Sequence, residues 1–230
     1  MEYFYSAAAM GYGTGRLWHK LFNFPNFPRV TKTITRYPNK GYPYAVVRVG
    51  DTIYNHIKHH NMGFYPWLEW LGQNCASIKD TENIIVSITG TDQELYEMVQ
   101  SLEIFYIGGI QISFSCPNVP DLKNTFVPQS RHPVYLKLNY LQDPYNYDLD
   151  RVAGINVNSV PCWFGGMSGK KAQKYNWPFI KKFNDEGLNV AGSSFLSLDD
   201  IRYLEEYCGC KRMGIGSTIL LRPKLVESLI

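Results

Sequence analysis

The sequence lacks any apolar stretch of the length that a transmembrane helix requires. Hydrophobic residues make up 45% of its 230 residues, but no run approaches the roughly 18 to 20 apolar residues that span a bilayer. The first residues, from Met1 to Ser6, also lack the basic and then apolar layout of a secretory signal peptide. We therefore expect a cytoplasmic protein with no membrane partner.

Cysteine is scarce, and its spacing suits neither a disulfide framework nor a zinc site. The five cysteines include no CxxC pair and are Cys75, Cys116, Cys162, Cys208 and Cys210. An odd number without such a pair is typical of a reducing compartment. His56, His59 and His60 cluster, but no cysteine or carboxylate stands beside them at ligand spacing. We expect no metal site.

Neither sign of charge dominates, and no charge run, internal repeat or low-complexity tract occurs. The 23 basic and 20 acidic residues give a net charge of +3, and the basic residues are scattered rather than gathered into a stripe. This balance gives no support for nucleic-acid binding and at most favours an anionic ligand. Because no linker divides the chain, we expect residues 1–230 to form a single domain.

What the sequence does contain is a series of short apolar runs rich in β-branched residues, separated by helical or loop segments. We count eight, at 4–8, 30–35, 84–89, 110–114, 134–138, 154–157, 188–192 and 213–216. Eight alternating strands are the number that a closed (β/α)₈ TIM barrel needs. The pattern therefore predicts an α/β protein with this fold.

Helix signals lie between the later runs. Thr91 to Glu94 has the form of a capping box. The apolar residues that follow share one helix face and are Leu95, Met98, Val99 and Leu102. Ser197 can cap a second helix, which presents Ile201, Leu204 and Cys208 on one face and ends at Gly209. Residues 117–133 are too few and too rich in proline for a full crossover helix, so we expect a reduced barrel with a trimmed crossover after strand four.

Polar and small residues follow the predicted strands, where a TIM barrel carries its active site. They are Lys32, Thr33, Ser115, Cys116, Asn118, Asn158, Ser159, Gly192, Ser193, Gly216 and Ser217, with Lys137 within the fifth strand. Taken singly, Lys137 could snorkel from a strand end and Cys116 could be a small buried hydrophobe. Alternation does not settle which way Lys137 points. The small residues after strands seven and eight together are typical of a barrel phosphate site, which predicts a phosphorylated ligand or cofactor.

Residues 112–120, which read ISFSCPNVP, resemble the substrate loop of class 1 dihydroorotate dehydrogenases, usually written NLSCPNVPG. Further segments resemble that family in the same order along nearly the whole chain. They are VTKT at 30–33, NKGYP at 39–43, residues 53–63 for INSMGLPNLG, YLKL at 135–138, VNSV at 157–160, FGGMSG at 164–169 for the FGGxxG loop, VAGS at 190–193 and GIGS at 214–217. The chain resembles a shortened member of this family, closest to class 1A.

The resemblance implies an FMN-dependent oxidation of dihydroorotate to orotate in de novo pyrimidine (UMP) biosynthesis. Cys116 would be the base that removes a proton while FMN takes a hydride, with Ser115 beside it and Lys137 stabilising the reduced flavin. The substrate residues implied are Lys32, Asn55, Asn118, Asn158 and Ser159. The cofactor residues implied are Ala7, Ala8, Lys32, Thr33, Lys137, Gly166, Gly192, Ser193, Gly216 and Ser217.

The resemblance also implies partners. Fumarate is the first expectation for the electron acceptor, and NAD through a separate iron–sulfur subunit is the second, because this chain has no cysteine cluster for such a centre. A homodimer is expected, as in class 1A, without nucleic acid.

Several positions depart from the family pattern, and two other functions stay open. Ser113 replaces the first asparagine of the substrate motif, Ser6 to Ala9 stands for NASG, and the loop between Val160 and Phe164 is short. A catalytically silent barrel that serves as a binding or structural subunit is one alternative. The other is a related flavin enzyme, such as the pyrimidine-reducing domain of dihydropyrimidine dehydrogenase or a tRNA-dihydrouridine synthase.

Overall fold

A computed structural model describes residues 1–7, 9–12, 17–42, 45–74, 81–114 and 125–229, with the side chains of residues 17, 18 and 74 excepted. The strands in this part of the chain are β1 (Glu2–Tyr5), β2 (Arg29–Val30), β3 (Val46–Val49), β4 (Thr52–Asn55), β5 (Ile84–Ile88), β6 (Gly109–Ser113), β7 (Val134–Leu138), β8 (Val152–Val157), β9 (Val160–Cys162), β10 (Gly165–Gly169) and β11 (Arg212–Ile215). The α-helices are α1 (Phe64–Asn74), α2 (Asp92–Leu102), α3 (Lys170–Asp185), α4 (Leu198–Arg202), α5 (Thr218–Leu221) and α6 (Pro223–Glu227). Short 3-10 turns occupy Leu17–Leu21, Pro144–Asn146 and Leu149–Arg151, and a π-helical turn, Tyr203–Tyr207, continues α4.

Seven strands form one parallel sheet in the order β11, β1, β2, β5, β6, β7, β8. The segment 189–192 joins the two edges of this sheet. On one side the Ala191 amide donates to the carbonyl of Ile155 at 2.8 Å, and on the other the Gly192 amide donates to the carbonyl of Arg212 at 2.8 Å. The sheet therefore closes at an eighth position, where residues 188–192 form isolated bridges rather than a strand, and the other seven predicted runs overlap the seven strands. The predicted TIM-barrel fold is confirmed.

The barrel strands alternate between an apolar outer face and a mixed inner face. On β7, Val134, Leu136 and Leu138 are buried in the main core between the barrel and its helices. Tyr135 packs inside the barrel, and Lys137 lines a cavity at its C-terminal end. The structure thus decides what alternation left open, because Lys137 points inward.

The helix signals of the sequence are confirmed. The Thr91 hydroxyl accepts from the Glu94 amide, and the Glu94 carboxylate accepts from the Thr91 amide at 2.9 Å, so both halves of the capping box form. The four predicted apolar residues of α2 are buried. Ser197 accepts from the Asp200 amide at 3.1 Å to cap α4, and the chain turns at Gly209 with a φ of 66°.

The crossover from β6 to β7 falls largely outside the described residues, at 115–124. Its described part, 125–133, contains neither helix nor strand, in agreement with the predicted trimming. The assignment of 1–230 to a single domain stays a prediction. Among the residues that the structure describes, no helix is both long and apolar enough to cross a membrane.

A second sheet was not predicted. It is antiparallel, has the order β3, β4, β10, β9, and includes residues 165–169, for which the sequence predicted a loop. That prediction was wrong because a glycine-rich segment has low intrinsic β-propensity, whereas here it is held between two partner strands. The sheet contributes Val46, Ile53, Asn55 and Ser168 to the lining of the same cavity, so it forms part of the wall at the C-terminal end of the barrel.

Candidate functional site

The candidate site is a cavity of about 300 Å³ at the C-terminal ends of the barrel strands. Active sites of TIM barrels lie at this end. Its lining includes most of the residues predicted from the sequence, namely Ala7, Lys32, Thr33, Asn55, Lys137, Asn158, Ser159, Ser193, Gly216 and Ser217. The fold therefore brings together side chains that lie up to 210 positions apart in the sequence, from Ala7 to Ser217.

Two predicted cofactor residues do not line this cavity. A Cβ at Gly166 would lie 2.5 Å from the Ser159 hydroxyl and 3.0 Å from the Asn55 amide nitrogen, so Gly166 makes room for these two side chains. A Cβ at Gly192 would lie 2.5 Å from the Met213 sulfur, on the side that packs against the helices. Both glycines are required by close packing in this structure, and direct contact with a cofactor stays a prediction.

Four further predicted residues, Ala8, Ser115, Cys116 and Asn118, lie outside the described residues. The assignment of Cys116 as a base therefore stays a prediction.

Asparagine and serine side chains form one wall of the cavity. The Asn55 amide donates to the carbonyl of Gly166 at 3.3 Å, which ties β4 to β10 at the cavity edge. Asn158 accepts from the Ser159 amide at 2.8 Å, and Asn176 of α3 donates to the carbonyl of Asn158 at 3.4 Å. These bonds hold the backbone after β8 in a fixed conformation. Asn158 and Ser159 therefore face the cavity with little side-chain freedom.

The wall after the seventh barrel position is tied to α3 through its backbone carbonyls. Trp177 donates to the carbonyl of Ser193 at 3.0 Å, and Gln173 donates to the carbonyl of Ser194 at 2.9 Å, so both carbonyls point toward α3. The amide of a peptide group points away from its own carbonyl, which directs the next two amides away from α3. Ser194 has a left-handed φ of 62°, and the Ser193 hydroxyl is buried with no hydrogen-bond partner among the described residues. Ser193 and Ser194 both line the cavity, so these amides and the buried hydroxyl are suited to an anion such as phosphate.

His59 is a cavity residue that sequence reasoning considered only as a metal ligand. Burial and, to a lesser degree, the nearby ammonium groups of Lys137 and Lys32 together lower the pKa of His59 to about 4. The imidazole is therefore neutral near pH 7, and the two lysines are the charged groups beside it. Two positive charges at a partly buried site favour an anionic ligand.

The turn that carries His59 has an unusual backbone. Lys58 and His59 have left-handed φ angles of 50° and 52°, which non-glycine residues seldom adopt. Asn61 donates to the carbonyl of His59 at 2.5 Å, and the Tyr42 amide donates to the carbonyl of Ile57 at 2.9 Å, so the turn is tied on both sides. No periodic pattern in the sequence signals such a turn, which explains why His59 was missed.

Gln111 and Asn156, which point inward from β6 and β8, were also missed. Each lies in a short strand beside apolar residues, where the sequence offers no sign of a functional role. Within the described ranges, no group of three or more histidine, cysteine or acidic residues could hold a metal ion.

Comparisons with known proteins support the fold. No protein-family model and no curated protein sequence matches the chain. Among solved structures, the chain is similar to a ligand-free dihydroorotate dehydrogenase from Eimeria tenella, with 14% sequence identity and a TM-score of 0.75. The match covers 97% of this chain and 81% of that one. The resemblance inferred from the motifs is thereby confirmed at the level of the fold.

Proposed function

We propose that the protein is an FMN-dependent enzyme that oxidises dihydroorotate to orotate. The observation that carries this proposal is the single cavity in which Lys32, Lys137, Asn55 and Asn158 meet. These side chains come from four different strands or strand ends, and each matches a motif of the family in sequence order. A barrel of the same fold as a dihydroorotate dehydrogenase supports the proposal but does not carry it alone.

The residues of the cavity fit FMN. The amides that follow Ser193 and Ser194, together with Gly216 and Ser217 after the neighbouring strand β11, would hold the phosphate. The buried Ser193 hydroxyl, which has no partner among the described residues, is suited to bond a phosphate oxygen. A volume of about 300 Å³ lies within the range of small-ligand sites, about 300 to 1,000 Å³. When bound, FMN supplies the acceptor for a hydride.

The side chains of this protein would bind and orient the substrate. Asparagine amides offer both a donor and an acceptor, so Asn55 and Asn158 suit the edge of a planar pyrimidine ring. The Lys32 ammonium would neutralise the substrate carboxylate. The Lys137 ammonium would stabilise negative charge that develops on the reduced ring system.

The proton would leave the substrate to the Cys116 thiolate, whose reference pKa of about 8.5 lies close enough to neutral pH for a base. Fumarate is the proposed acceptor that returns the enzyme to its oxidised form, with NAD through a partner subunit as the second choice. A cytoplasmic homodimer that acts in pyrimidine biosynthesis completes the proposal.

Anaerobic mixing of the FMN-loaded protein with dihydroorotate tests the proposal, with bleaching of the flavin absorbance as the signal. We expect Cys116→Ala to slow bleaching by roughly 10²- to 10⁴-fold, which is the usual contribution of a general base. Cys162→Ala is the matched control, because Cys162 lies on β9 and does not line the cavity. Its bleaching rate should equal that of the unmodified protein.

Two results would overturn parts of this proposal. Equal bleaching in the two alanine variants would remove Cys116 as the base while leaving the reaction intact. A colourless protein that cannot be loaded with FMN would overturn the enzymatic function and favour the silent barrel.

A further inference from the structure

We propose that Arg212 is a positioning residue that sets the direction of a hydrogen-bonded chain through the barrel interior. The chain ends at Thr33, which it fixes as a hydrogen-bond donor toward the cavity. The direction of these hydrogen bonds depends on the residues of the protein alone. Its consequence for flavin binding rests on the function proposed above.

Arg212 lies at the N-terminal end of β11, at the end of the barrel opposite the cavity. It is 5% exposed, and its guanidinium carbon lies 4.9 Å and 4.4 Å from the ring centres of Phe4 and Tyr135. Its nearest carboxylate belongs to Glu2, at 3.8 Å, and a Cβ at Gly154 would clash with the guanidinium. A buried charge is costly unless it is bonded, and arginine can only donate. The Nη1 nitrogen is buried with no hydrogen-bond partner among the described residues, so the side chain that meets Nη2 has to present an acceptor.

The same donor-to-acceptor direction then holds for each successive side chain in the hydrogen-bonded chain. The Arg212 guanidinium donates to the Asn156 oxygen at 3.3 Å, so the Asn156 nitrogen faces the other way and donates to the Gln111 oxygen at 2.7 Å. The Gln111 nitrogen in turn donates to the Ser87 hydroxyl oxygen at 2.8 Å. Amide orientation is normally ambiguous from heavy atoms alone. Here the Arg212 guanidinium, which can only donate, stands at one end of the hydrogen-bonded chain and decides the orientation of both amides.

Ser87 continues the hydrogen-bonded chain to the cavity with the same donor-to-acceptor direction. Its side chain is 0% exposed, and its oxygen lies 3.0 Å from the Thr33 hydroxyl oxygen. No other acceptor for the Ser87 hydroxyl hydrogen is present among the described residues. Leaving that hydrogen unbonded would cost roughly 1 to 3 kcal/mol, so Ser87 donates to Thr33. The Thr33 hydroxyl hydrogen is then left for a group in the cavity, which Thr33 lines.

The chemical consequence is a requirement for an acceptor at this point of the cavity. Carbonyl oxygens and ring nitrogens of a flavin are acceptors, and a donor aimed at them is worth more when the ring carries negative charge. Thr33 would thus favour both binding and reduction of FMN. Arg212 would act through the chain, without touching the ligand.

Neutron diffraction on the ligand-free, deuterium-exchanged protein tests the direction without any cofactor. We expect the Ser87 deuteron to point at the Thr33 oxygen, the Thr33 deuteron to point into the cavity, and the Asn156 oxygen to face Arg212. A Thr33 deuteron aimed at Ser87 would overturn the inference. A confirmed direction in a protein that binds no FMN would leave the inference standing and remove the proposed function.

Variants of the FMN-loaded protein test the consequence. Gln111→Glu keeps the shape but presents two acceptors, so Ser87 has to donate to it and Thr33 has to donate to Ser87. The chain is then reversed near the cavity. For Gln111→Glu we expect about tenfold weaker FMN binding, the usual scale of one hydrogen bond, and a more negative flavin midpoint potential. Thr33→Val should weaken FMN binding and shift the potential by similar amounts. Thr33→Ser is the conservative control and should retain both values.

Because Gln111 also lines the cavity, Gln111→Glu could act on FMN directly. A double-variant cycle separates such a direct effect from one that acts through Thr33. If the reversal acts through Thr33, Gln111→Glu should change FMN affinity little in a Thr33→Val background. Independent, multiplicative losses would overturn the proposal. Arg212→Met should weaken FMN binding in the same Thr33-dependent way while Arg212→Lys, which keeps a donor, retains it. Should Arg212→Met fail to fold, the orientation of the Asn156 oxygen in the neutron structure decides whether Arg212 sets the direction.

Discussion

The outer and inner faces of the same barrel strands differ in what they do. On β7, Leu136 faces the helices and is 0% exposed in the main core, whereas its neighbour Lys137 faces the cavity. The inner face itself changes along the strands. An apolar cluster that includes Phe4 and Val30 packs around the Arg212 guanidinium at the N-terminal end, and polar residues line the C-terminal end. Adjacent positions in the sequence thus face the core and the cavity separately, so single substitutions can test each face.

Truncation on the outer face should give the largest loss of stability. Leu136→Ala removes a buried side chain between β6 and β8, and we expect the free energy of unfolding to fall by about 2 to 5 kcal/mol. FMN affinity, measured where the variant is still folded, should change by less than about twofold, because the side chain points away from the cavity. Urea unfolding followed by circular dichroism measures the first quantity. A loss of FMN affinity as large as that of a cavity variant would contradict the separation of the two faces.

The neighbouring inward residue should show the reverse pattern. Lys137→Met keeps most of the side-chain volume and removes the charge, so flavin bleaching by dihydroorotate should slow by roughly 10²- to 10³-fold, the usual cost of losing one fixed electrostatic contact. The free energy of unfolding should change by less than about 1 kcal/mol. Lys174→Met on the exposed side of α3 is the control and should leave the bleaching rate unchanged. Equal rates in the two variants would remove Lys137 from the reaction.

A smaller effect should come from the packing that supports the cavity wall. The added methyl group of Gly166→Ala would displace the Ser159 hydroxyl or the Asn55 amide, so the KM for dihydroorotate should rise roughly tenfold. Gly72→Ala on α1 is a matched control, since its new methyl group meets open space. A variant at Gly166 with unchanged KM would show that Asn55 and Ser159 do not hold the substrate.

The last expected effect is a pH dependence of stability that comes from His59. The pKa of His59 is lowered to about 4 in the folded protein, and in the unfolded chain it returns to about 6.5. Between these values the unfolded chain binds a proton that the folded protein does not, so stability should fall as the pH drops from about 6.5 towards 4. His59→Gln should remove that part of the dependence of the urea midpoint on pH. An NMR titration midpoint of the His59 imidazole near 6.5 would contradict the burial on which this prediction depends.

The candidate site could be predicted in part because its residues occur in local motifs. Lys32, Asn55 and Asn158 each lie in a short segment that resembles the family, and each lines the cavity in the structure. His59, Gln111 and Asn156 could not be found in this way. Their positions depend on a left-handed turn and on contacts between strands, neither of which leaves a periodic signal.

The sequence by itself determined the seven barrel strands and the place of the eighth segment, the capping box of α2 and the helix after Ser197, because alternation, β-branched composition and capping are properties of neighbouring residues. Only the tertiary structure decided that Lys137 points inward, that residues 165–169 form a strand, and that a chain from Arg212 reaches Thr33. Barrel closure brings these residues together from strands that are far apart in sequence. Hydrogen bonds between such distant side chains depend on the closed barrel, which no local pattern encodes.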